Sequence, residues 1–163
     1  MTLFTPPCAP RESAEAAALL LEQARALLAG ERDALANSAN LAALIFQTLP
    51  GLNWAGFYWL RGNELVLGPF QGKPACVRIP IGKGVCGTAA ERRATVIVPN
   101  VHEFPGHIAC DSASESEIVV PVIKAGRLLG VLDLDSPRLG RFSREDAATL
   151  EAVVTHFVEA SDL

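Results

Sequence analysis

The chain has 163 residues, 50% hydrophobic and 20% charged, which is enough for one globular domain to bury a core without disulfide or metal staples. A net charge of -4 with no basic stripe excludes the phosphate-neutralising surface on which nucleic-acid binding depends, so no nucleic-acid partner is expected and small molecules are favoured. No stretch approaches the roughly 20 apolar residues that span a bilayer. The opening MTLFTPPCAPRESAE has neither a basic leader nor an apolar signal core, which points to a cytoplasmic protein without membrane attachment.

Pro6, Pro7 and Pro10 give residues 1–10 the character of an extended arm, with residues 11–163 forming a single domain. Glu12 and Glu15 then suit the positive end of a helix that runs to about Gly30. A second helix through LAALIF sets Leu41, Leu44, Ile45 and Thr48 on one face and stops at PGLN. From Asn53 the period changes: NWAGFYWL and ELVLGPF flank Arg61-Gly62-Asn63 as two strands of a hairpin. CVRIPI is a further strand, with Cys76 at its start, and GKGVCGTAAERR is a Gly-rich entry to a short helix. After a strand at ATVIV comes a loop from Pro99 to Glu117, longer than compact domains usually carry and so a candidate lid or binding loop. EIVVPVIK and RLLGVLDLD form the last strand pair. A closing helix opens at Ser143, with Asp146 as the partner of a capping-box variant and Leu150, Val153, Val154 and Phe157 turned inward. Helices, then mostly adjacent strands with one short helix, then a helix: this order predicts an α+β sandwich around a largely antiparallel sheet.

Gly82-Lys83-Gly84-Val85-Cys86-Gly87 satisfies G-x-G-x-x-G, but the short helix and the hairpins around it do not form the parallel βαβ unit a dinucleotide needs. A tight strand-to-helix turn is the plainer reading. Asp133-Leu134-Asp135 is not a calcium loop, since Pro137 and Arg138 stand where a ligand and a glycine belong. The gaps between Cys76, Cys86 and Cys110 contain no C-x-x-C clamp, so no metal is expected.

Asp133 and Asp135 project from one face of their strand while Leu132 and Leu134 enter the core from the other. A three-residue connection at 125–127 would place Glu117 opposite Asp135; a two-residue connection would face it against Leu134, on the core side. Carboxylates this close repel, so in a cleft at least one would keep its proton near neutral pH and could donate it. The alternative is a solvated acidic strand end.

Four cysteines in a reducing compartment point to catalysis, redox exchange or metal binding before structural bridges. Cys86, at a helix start, is where a thiolate would be stabilised, or else a small buried apolar residue. Cys110 sits among Asp111, Ser112, Ser114 and Ser116 in a polar, accessible loop. His107, three residues earlier, is a candidate partner for it, although no spacing rule supports the pair.

NWAGFYWL, LGPFQGKPACVRIPIGKGVCGTAA, VPNVHEFPGHIACDSASESEIVVP and GVLDLDSP together resemble the free methionine-(R)-sulfoxide reductases, stand-alone GAF-domain enzymes, over about residues 50–155. The resemblance implies a GAF fold of about six antiparallel strands flanked by N- and C-terminal helices. It implies Cys110 as catalytic cysteine, Cys76 as the resolving one and Cys86 as an additional or backup resolver; Cys8 lies outside the pattern. Glu117, Asp133 and Asp135 match the acidic residues of the substrate pocket, and Trp54 and Tyr58 the aromatics around the substrate's methyl end. It further implies action on the free amino acid through a sulfenic acid and a disulfide, no bound cofactor, and thioredoxin as external reductant. Whether the chain forms a homodimer stays open. A GAF module that binds a small ligand without chemistry, and a thiol redox sensor, are the alternative functions.

Overall fold

The computed structural model describes residues 9–163. Two helices come first, α1 (Ala9–Leu27) and α2 (Ala34–Thr48). Helix α1 begins inside the stretch expected to be extended: Ala9 and Pro10 belong to it, and a proline is tolerated in a first turn because its missing N–H would have no helical partner there. The remainder of that arm, with Cys8, lies outside the described residues. Asp33 caps α2, its side chain accepting from the Ala36 amide at 2.8 Å, and Leu41 and Ile45 are fully buried.

The strands β1 (Trp54–Arg61), β2 (Glu64–Gly72), β3 (Arg78–Pro80), β4 (Val96–Val98), β5 (Ser116–Lys124) and β6 (Arg127–Ser136) form one sheet in the order β3-β2-β1-β6-β5-β4, every neighbouring pair antiparallel. Helix α3 (Gly84–Arg92) lies between β3 and β4 in the chain, and α4 (Arg144–Ala160) closes it with the predicted Ser143–Asp146 capping box. The two-residue period of the strands divides the sheet into two faces. Ala55, Phe57, Ile118, Val120, Leu132 and Leu134 pack into a core with α1, α2 and α4. Their neighbours Trp54, Tyr58, Val119 and Val131 face α3 with Val85, Cys86, Ala89 and Ala90. Glu117, Asp133 and Asp135 alternate with the first set, so they share the α3 face.

The β5–β6 register depends on a detail. The turn has two residues, Ala125 and Gly126, both at positive φ, and Lys124 pairs with Arg127. Carried on unchanged, that register would set Glu117 against Leu134. A bulge intervenes: Val122 pairs with Gly130 while Ile123 pairs with Leu128, so Leu129 is the extra residue and Glu117 falls opposite Asp135. The expected pairing is present, but the bulge produces it, not a three-residue turn.

The glycine run before α3 is a tight strand-to-helix turn, with Gly82 and Gly84 at positive φ. Gly87 lets the helix approach its own strand, since a Cβ there would overlap the Pro80 carbonyl oxygen. Gly87→Ala is expected to destabilise the chain by about 1–3 kcal/mol, read from the denaturant midpoint, because the obstructing atom is backbone and cannot rotate away.

Candidate active site

Between the α3 face of the sheet and the loop from residue 99 to 117 lies a cleft enclosing about 510 Å³ of atom-free space, counted to its open mouth. Trp54, Tyr58, Cys86, Cys110, Glu117, Asp133 and Asp135 all line it. Cys76 is the one predicted site residue outside the lining, and it is bonded to Cys110 in a disulfide with the Cα atoms 5.7 Å apart, within the reach such a bridge requires. Cys76 does not begin a strand: β3 starts at Arg78, and Cys76 sits in the irregular segment after β2.

The aromatic wall comes from β1. Trp54 and Tyr58, four residues apart on one face, are 97% and 99% buried with ring centroids 5.8 Å apart. Trp54 Nε1 donates to the Lys73 carbonyl at 3.1 Å and the Tyr58 hydroxyl to the Cys76 carbonyl at 2.9 Å, so both rings are held without using the cleft. Burial, then the charge of Asp133, pushes the Tyr58 phenol up, which keeps it a neutral donor.

The floor is acidic and largely buried. Glu117 and Asp133 are 94% buried, not the solvated strand end that was the alternative, and Asp135 is partly buried. All three carboxyls are pushed well above the usual carboxylate range, first by burial and then by a neighbouring carboxylate: Asp135 for Glu117, Glu117 for Asp133, Asp133 for Asp135. Like-charge repulsion is thus the second cause, where sequence reasoning had it first. Among the described residues, Asp133 Oδ1 is buried without a hydrogen-bond partner.

Cys86 is buried with its thiol 3.9 Å from Glu117 Oε1. Its place at the start of α3 does not yield a thiolate: burial, then Asp133 and Glu117, push the thiol up. Cys86, Glu117 and Asp133 bring their ligand atoms within 4.8 Å of one another, a grouping that sequence spacing did not reveal.

Several neighbours were not foreseen. His107 Nε2 lies 3.3 Å from Glu117 Oε2, so its partner is the acid and not Cys110. Asn53 Nδ2 donates to Asp111 Oδ2 at 3.2 Å and Ser114 Oγ at 3.1 Å, and Lys73 Nζ stands 3.6 Å from Asp111 Oδ1. The Ala113 amide in particular holds the Asp111 carboxyl below its ordinary range. Ser114 and Ser116 are buried and tie the loop down, Ser116 Oγ donating to the Arg138 carbonyl at 2.6 Å, so the loop is less open than its composition indicates. Of these, His107, Asp111 and Ser114 were legible by their nearness to Cys110, whereas nothing local pointed to Asn53 or Lys73.

The chain matches the GAF domain model over residues 13–160. It is 55% identical over 129 residues to a free methionine-R-sulfoxide reductase of Escherichia coli, covering 79% of this chain and 78% of that protein. The chain belongs to the free methionine-R-sulfoxide reductase family. Two solved structures share its fold. A free methionine-R-sulfoxide reductase from Neisseria meningitidis in complex with its substrate superposes with a TM-score of 0.88 at 42% identity, over 98% of this chain and 94% of that one. A GAF sensor protein from Burkholderia vietnamiensis gives 0.88 at 60% identity, over 91% and 95%. Within this reductase family fold the six-stranded antiparallel sheet with flanking helices is as expected.

Proposed function

We propose that the chain reduces free methionine-R-sulfoxide to methionine, with Cys110 as nucleophile, Cys76 as resolving cysteine and the Glu117–Asp133–Asp135 floor supplying the proton. The observation that carries this is the Cys76–Cys110 bridge at a cleft whose floor carries three carboxyls, two of them buried and one partly so. A dithiol pair beside carboxyls that hold their protons is what sulfoxide reduction needs.

The sulfoxide sulfur resists attack until its oxygen is protonated. The Cys110 thiolate bonds to that sulfur as a floor carboxyl protonates the oxygen. The hydroxyl then passes to Cys110 as the bond between the two sulfurs breaks, so methionine leaves and Cys110 is a sulfenic acid. Two electrons have moved from the cysteine sulfur to the substrate sulfur. The Cys76 thiol attacks the sulfenic sulfur and expels water, giving the disulfide seen here, and an external dithiol, thioredoxin in our reading, reopens it by exchange. Trp54 and Tyr58 offer an apolar wall for the substrate's methyl group, while the remaining carboxylate charge serves its ammonium. No bound cofactor enters this scheme, and its dependence on thioredoxin fits a cytoplasmic setting; among the described residues no helix is long and apolar enough to cross a membrane.

The test is consumption of each free sulfoxide epimer with thioredoxin, its reductase and NADPH. The R epimer is expected to be consumed and the S epimer spared; binding without consumption would favour the ligand-sensor reading instead. Cys76→Ser is expected to release about one methionine per chain in a single burst and then stall, leaving a sulfenic acid that dimedone captures. Sustained turnover by that variant with thioredoxin would remove Cys76 from the resolving role.

A further inference from the structure

His107 joins the nucleophile's loop to Glu117 of the acid floor through a largely buried pair. It stands three residues before Cys110, its side chain is 14% exposed, and its Nε2 meets Oε2 of a Glu117 side chain that is 7% exposed. Glu117 itself is fixed from below by the β5–β6 ladder opposite Asp135, and its other oxygen, Oε1, faces Cys86.

We propose that His107 is a positioning residue for the reduction step: it fixes the rotation of the Glu117 carboxyl and holds the Cys110 loop against the floor. The proposal rests on the reductase reading above. The physical reason lies in the reduced enzyme. In the oxidised chain the Cys76–Cys110 bond ties the loop to the segment before β3, but that tie is absent in the form that meets substrate. The contacts left to hold the loop include the Asp111 and Ser114 bonds to Asn53, the Asp111–Lys73 ion pair, the Ser116 bond to the Arg138 carbonyl, the packing of Ile108 on Gly84, and the His107–Glu117 pair. Of these the last is the one that meets the Glu117 carboxyl. A carboxyl held at one oxygen has a defined plane, and near-attack geometry is steep in displacement. The pair also survives either proton position: a protonated Glu117 donates to Nε2, and an ionised one accepts from Nε2–H. Burial lowers the proton affinity of His107 and raises that of Glu117, which brings the two together and lets the contact persist as Glu117 gives up its proton.

With excess small dithiol as reductant, His107→Ala is expected to lower kcat/KM for free methionine-R-sulfoxide by about 10- to 100-fold. His107→Gln, which keeps a nitrogen of similar reach, should recover most of that loss. In a Glu117→Gln background the further loss from His107→Ala should shrink below about threefold, since the contact is already impaired. Equal losses in both backgrounds, no loss on His107→Ala, or glutamine no better than alanine would each overturn the proposal. A second readout needs no turnover. Nitrogen-15 shifts of the His107 ring in the reduced chain should move on Glu117→Ala and stay on Asp135→Ala; shifts indifferent to Glu117 would overturn the contact. An inactive parent chain with the expected shifts would overturn the reductase reading and leave the His107–Glu117 contact standing.

Discussion

Cys110→Ser is expected to lower thioredoxin-coupled consumption of free methionine-R-sulfoxide by at least about a thousandfold, the scale on which loss of a catalytic nucleophile is felt. A serine hydroxyl holds its proton at neutral pH, and it cannot accept the sulfoxide oxygen without forming an O–O bond, so neither half of the step remains. The loss is separable from misfolding. Cys110 is exposed in a loop, and the cores that hold the sheet lie elsewhere, so the reduced variant should unfold at the temperature of the reduced parent. Turnover within tenfold of the parent would move the nucleophile to another cysteine, and the buried Cys86, its thiol pushed up, is badly placed to take over.

The second large effect is a trade between activity and stability at the floor. The carboxyls of Glu117, Asp133 and Asp135 bind protons more tightly in the folded chain than in the unfolded one. Above about pH 4 the unfolded chain therefore releases protons that the folded chain keeps. Stability consequently falls as pH rises from that value, until the folded acids themselves ionise. In the proposed mechanism the same retained proton is used, so kcat/KM is expected to decline as pH climbs through the raised values. Asp133→Asn removes one of these acids while keeping its shape. It should lower kcat/KM by about 100- to 10,000-fold if Asp133 supplies or holds the proton. It should also raise the melting temperature at pH 8 more than at pH 5, by roughly 2–4 °C for each kcal/mol regained in a chain of this size. An equal change in melting temperature at both pH values would show that Asp133 is not held protonated by the fold.

Of the eight candidate residues, Asp133 and Asp135 were readable from local strand phase, whereas Trp54, Tyr58 and the roles of the others came from the resemblance to the family. Strand alternation alone put Asp133 and Asp135 on the face away from Leu132 and Leu134, and the sheet keeps that division. The cysteines were readable as a set from their contexts, but their roles were not. Local reasoning left Cys86 as either a helix-start thiolate or a small buried residue; the folded chain buries it beside two carboxyls, which push the thiol up after burial itself. Glu117 shows the limit most clearly. Its side of the sheet turned on whether the β5–β6 connection had two or three residues, and the answer was two plus a bulge at Leu129, which local composition does not announce.

The amino-acid sequence by itself determined the element order, the amphipathic faces and the acidic pair on β6, since each follows from composition or from periods of two and 3.6 residues. Tertiary structure alone decided which thiols meet, how deeply the acids are buried and that His107 faces Glu117. Those depend on distances between segments 10 to 80 residues apart in the chain, such as Asn53 with Ser114, and on the water that the packed loop and α3 exclude. Proton affinity in a cleft is a property of that exclusion, and no residue carries it in its own side chain.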